Sequence, residues 1–155
     1  MAVGRRPELL VFFSTAGSLL LGFVAVFVVS CLDDPYQPAL MWWALMCGAF
    51  PWSAVLLALQ MKWLSSEGWE PTNVELLVLS AVEWVVACFT FGPACAALAV
   101  DQFAIQHNYC RPGAVVCLMY LVAVATACAA GVLAAVSALG MLWILASRFR
   151  PAHAA

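Results

Sequence analysis

Residues 74–100 read VELLVLSAVEWVVACFTFGPACAALAV, a run broken only by Glu75 at its edge and Glu83 in its interior. A membrane-crossing helix needs about 20 predominantly apolar residues, so this stretch is long enough to span a bilayer. It is continuous and rich in Ala and Leu, whereas a transmembrane barrel needs alternating segments of ~10 residues. Working outward, three more such runs give expected spans at approximately 9–32, 39–62, 74–100 and 113–147. The breaks carry turn chemistry: Asp33-Asp34-Pro35-Tyr36-Gln37-Pro38, then Ser65 to Asn73 with Gly68 and Pro71, then Asp101 to Pro112. The expected fold is all-α, a single integral membrane four-helix bundle over residues 1–155.

Composition agrees with that reading. Of 155 residues, 66% are hydrophobic and 9% charged, with a mean hydropathy of +1.02. A soluble domain carries roughly 25% charged residues, so lipid must solvate most of these side chains, and soluble enzyme folds are excluded. A net charge of -2 with six scattered Lys and Arg excludes a nucleic-acid partner. Position matters more than total charge. Arg5, Arg6, Lys62, Arg148 and Arg150 fall on the side that holds both termini, and Arg111 lies opposite. By the positive-inside rule both termini are expected in the cytoplasm. The basic start leads into an apolar run too long for a secretory signal, so the first helix is expected to stay in the protein. Tyr36, Trp42 and Trp43 would mark the outer interface and Trp63, Trp69, Trp143 and Phe149 the inner one, unless they serve packing alone.

Glu83 is the most informative residue. A carboxyl inside an apolar span costs on the order of 3 kcal/mol unless it is protonated, paired or facing water. Counted from the cytoplasmic ends of the spans, Ser18, Ser53 and Glu83 each lie nine residues deep and Ser137 ten. At 1.5 Å per residue each is roughly 14 Å deep. The expectation is an intramembrane polar layer of Glu83, Ser18, Ser53 and Ser137; the alternative is coincidence. Ala123, Ala127, Gly131 and Ala135 form a ridge of small residues on the last helix. Such a ridge lets a second backbone approach closely, either within the bundle or in another protein. Pro51 and Pro93 remove helical hydrogen bonds to the carbonyls of Cys47 and Phe89, with Ser53 and Thr90 near enough to help satisfy the freed backbone.

Of the seven cysteines, Cys47, Cys88, Cys95 and Cys128 lie within spans, where a thiol acts as a small apolar group. Cys110 and Cys117 lie on the outer side, where a disulfide would close the loop before the last span, with Cys31 as a rival partner. No metal-ligand spacing, nucleotide loop or catalytic triad is present in the sequence, so no metal, no cofactor and no catalytic residue is expected.

The segment Phe50-Pro51-Trp52-Ser53-Ala54-Val55-Leu56-Leu57-Ala58-Leu59, the run from Val82-Glu83-Trp84 through Phe91-Gly92 to Ala99-Val100-Asp101, Cys117-Leu118-Met119-Tyr120 and Phe13-Ser14-Thr15-Ala16-Gly17-Ser18-Leu19-Leu20 together resemble the fifth group of plant Casparian strip membrane domain-like (CASP-like) proteins, relatives of the animal MARVEL proteins. The resemblance implies four spans, cytoplasmic termini, lateral self-assembly into a plasma-membrane scaffold and no catalytic activity. It places the family's acidic residue of the third span at Glu83, where the family usually has Asp, and its basic residue of the first span at Arg6 or Arg5. It also sets Cys110 and Cys117 where the family's outer loop often carries two cysteines. The expected function is a non-enzymatic scaffold, a homo-oligomer among membrane lipids that organises other proteins. The expected location is the plasma membrane, with an organelle membrane as the alternative; the alternative functions are a small accessory subunit at the periphery of a larger membrane complex and a transporter or channel component that uses Glu83.

Overall fold

The computed structural model describes residues 6–31, 50–65, 71–107 and 115–149. Among these residues every regular element is helical: α1 (Arg6–Ser30), α2 (Phe50–Ser65), α3 (Asn73–Gln106) and α4 (Val115–Arg148). Within α1, α3 and α4, the stretches Pro7–Val28, Asn73–Val100 and Cys117–Arg148 are long and apolar enough to cross a membrane. The 16 described residues of α2 are fewer than a span requires; the part of the expected second span before Phe50 lies outside the described residues.

Helix ends depart from the expected ones for local reasons. The first helix already includes Arg6, three residues before Leu9, and Pro7 lies in its first described turn. The third runs through Asp101 to Gln106, because that stretch is polar yet free of Gly and Pro. Polarity alone does not stop a helix. Its other end is fixed by a capping box, in which Thr72 Oγ1 accepts from the Glu75 backbone N–H (3.3 Å) and Glu75 Oε2 accepts from the Thr72 N–H (2.7 Å). The helix continues through Pro93. Thr90 does not cover the freed Phe89 carbonyl as expected, since its hydroxyl donates to Val86 O (2.7 Å).

The central helix is α4, packed along both α1 and α3, while α2 borders α1 and α3 more loosely. Facing contacts show both α4 pairings to be antiparallel. On one side Val11 lies against Gly140 and Leu133 against Gly17; on the other Phe91 lies against Gly131 and the Arg148 guanidinium donates to Pro71 O (2.7 Å). Two apolar clusters result. One joins Ala25, Val26, Ala94, Ala97, Ala123, Val124 and Ala127, and the other joins Val11, Leu76, Met141, Ile144 and Leu145. The polar residues described next lie between them in sequence on α1, α3 and α4.

Candidate functional site

Glu83 is 2% exposed and points into the bundle. Its partners come from the other three helices. Gln60 Nε2 on α2 donates to Glu83 Oε1 (2.8 Å) and also to Thr15 Oγ1 on α1 (3.2 Å). Thr15 and Ser137 share a hydroxyl–hydroxyl bond of 2.8 Å, and Ser137 on α4 is also bonded to Glu83. The Thr15 hydroxyl has one proton and three acceptors in reach: Ser137 Oγ, Val11 O at 3.0 Å and Glu83 Oε1 at 3.4 Å. The last is the weakest by distance. Thr15, Gln60, Glu83 and Ser137 therefore form one buried network with a member from each helix. All of Glu83's hydrogen-bonding neighbours are neutral.

Of the four residues expected in the layer, the structure brings Glu83 and Ser137 together. Ser18 is buried one turn away, donating to Ala130 O (2.8 Å). Ser53 is buried on α2, two turns from Gln60, and does not bond the carboxyl. Both displacements have a physical cause. α1 already includes Arg6, and the residue nine positions beyond Arg6 is Thr15. On α2 the depth count from Lys62 points to Ser53, whereas Gln60, only two residues from Lys62, reaches the deeper carboxyl with its longer side chain. The signal for Gln60 is present in the sequence: an amide inside an apolar segment demands hydrogen-bond partners.

The small-residue ridge faces inward. Ala123 and Ala127 are fully buried, Gly131 is buried and Ala135 half-buried. A Cβ at Gly131 would come within 2.9 Å of Phe91 Cδ2 and 3.0 Å of Phe91 Cα, so α3 and α4 meet there backbone to backbone. The buried stripe also takes in Ala130, Ala134 and Ala138. Cys117 is disulfide-bonded, Cys31, the rival partner, is a free thiol, and Cys110 lies outside the described residues. So does the Arg6 side chain. Cys95 and Cys128 are free thiols that neighbour each other across α3 and α4.

Among the described residues no group of three His, Cys, Asp or Glu is placed to hold a metal ion. No family model matches the chain, and neither a curated protein nor a solved structure matches it.

Proposed function

We propose that this chain is a non-enzymatic four-span membrane scaffold of the CASP-like kind, with both termini in the cytoplasm, which associates laterally in the plasma membrane and organises other membrane proteins. The observation that carries this reading is how the side chains are distributed. Hydrogen-bonding groups are spent inside the bundle on Glu83, while large apolar side chains cover the outside. On α1 the outward residues Phe13, Leu20 and Phe27 recur at seven-residue spacing and are 66%, 66% and 71% exposed. A heptad stripe of this kind suits a second helix lying alongside. The ridge Ala123, Ala127 and Gly131 is used within the bundle, so lateral contact falls to outer faces such as this one. The five basic residues at the cytoplasmic ends support the orientation.

The accessory-subunit reading is favoured by one feature, an apolar groove of about 420 Å³ between α2 and α3, lined by Trp52, Ala81, Val82, Val85, Val86 and Phe89. A helix of a larger complex would fill it. A transporter is disfavoured by the apolar clusters on either side of the polar layer. Native gels of gently solubilised membranes separate the first two readings: self-multiples support a scaffold, and co-migration with one large heteromeric complex supports a subunit.

A further inference from the structure

Among the described residues two buried side-chain polar atoms are left without a hydrogen-bond partner, Gln60 Oε1 and Ser80 Oγ. Both belong to the surroundings of Glu83. Gln60 holds that carboxyl through Nε2 at 2.8 Å, which fixes its Oε1 on the same planar amide. Ser80 lies one turn before Glu83 on the same buried face of α3 and is 2% exposed. An orphaned acceptor inside a bundle calls for a water or an ion. A buried carboxyl whose described hydrogen-bonding neighbours are all uncharged is neutralised either by a proton or by a cation.

We propose that Glu83, Gln60 and Ser80 form a binding site for one monovalent hard cation of the Na⁺ class, resident in the bundle and not conducted through it. The ligand set is all oxygen, from carboxylate, amide carbonyl and hydroxyl, which suits hard cations over soft ones. The charge count selects the valence. The neighbours contributed by α1, α2 and α4 are Thr15, Gln60 and Ser137, all neutral, so among the described residues the layer holds a single carboxyl group. One positive charge neutralises it, whereas a divalent ion would leave a net charge buried. The amide supplies both functions at once, its NH₂ holding the carboxyl and its oxygen facing the ion. The site extends beyond the scaffold reading and does not depend on it.

The test uses the full chain in detergent micelles at one fixed pH, with NaCl compared against choline chloride at equal ionic strength. The first readout is the thermal unfolding midpoint. The second is modification of Glu83 by a hydrophobic carbodiimide, in which the carboxyl oxygen adds to the reagent's carbon and the proton goes to its nitrogen, followed by mass spectrometry. Na⁺ is expected to raise the midpoint and to slow labelling roughly tenfold at about ten times its Kd, by simple mass action. Gln60→Ala and Ser80→Ala should each lose most of this Na⁺ effect. Ser18→Ala, whose hydroxyl serves Ala130 O, should keep it. Identical midpoints and labelling rates in Na⁺ and choline would overturn the proposal, as would a full Na⁺ effect in either Gln60→Ala or Ser80→Ala.

Discussion

Replacing Glu83 with glutamine keeps the side-chain length and an acceptor oxygen, so Gln60, Thr15 and Ser137 retain a partner. With Na⁺ replaced by choline, Glu83→Gln should therefore unfold within about 1 kcal/mol of the native protein, whereas Glu83→Leu strands the Gln60 amide and should cost about 1–3 kcal/mol. Denaturant titration in micelles separates the two, and equal stability would place the carboxyl outside any network. On α2 the contrast is between Gln60 and Ser53. Gln60→Ala should be clearly destabilising and Ser53→Ala near neutral, because only the former bonds Glu83; the reverse order in the same titration would move the layer by two helical turns. Glu83 is legible in the sequence because a charge within an apolar run has no neutral explanation. The signal at Gln60 is ambiguous, because it sits two residues from Lys62, where an interfacial position accounts for a polar side chain equally well.

At the scale of helices, two glycines make opposite predictions. At Gly131 a methyl group would press on the Phe91 backbone at 3.0 Å, which cannot rotate away. Gly131→Ala should cost about 1–3 kcal/mol by overpacking. Gly131→Leu should destabilise the monomer itself. At Gly92, one residue from Phe91, a Cβ meets nothing within 4 Å. Gly92→Ala should be neutral or stabilise α3 by roughly 0.5–1 kcal/mol, through the helix preference of alanine. Thermal melts in micelles check both; equal effects would mean that α3 and α4 do not meet at Gly131. Thr72→Ala removes the capping hydroxyl and should cost about 1 kcal/mol, with faster amide exchange confined to the first turn of α3. The ridge is legible from its four-residue spacing, but which surface it faces is not, since close packing inside a bundle and between bundles demands the same small residues. The end of α3 is hidden at Asp101–Gln106, where charge and amide groups imitate a loop and the turn formers begin only at Asn108.

For the whole molecule, the excess of apolar side chains over charges makes a membrane protein legible from the amino-acid sequence alone, because no other solvent fits such a surface. The length and continuity of the apolar runs make it helical. The proposed topology rests on the basic residues and is checked by labelling: a membrane-impermeant protease or thiol reagent applied from outside should spare both termini, and an accessible C-terminal tag would reverse the orientation. What the outer faces bind is not legible, since lipid and another helix present the same chemistry to Phe13, Leu20 and Phe27. The central claim is that these faces hold copies of the chain together. The most direct measurement is the native mass of the protein released from its membrane in lipid nanodiscs. A scaffold gives a series of multiples of 16.6 kDa that collapses towards the monomer when Phe13, Leu20 and Phe27 are replaced by alanine. A monomer at every protein-to-lipid ratio, or a series unchanged by those substitutions, would contradict it.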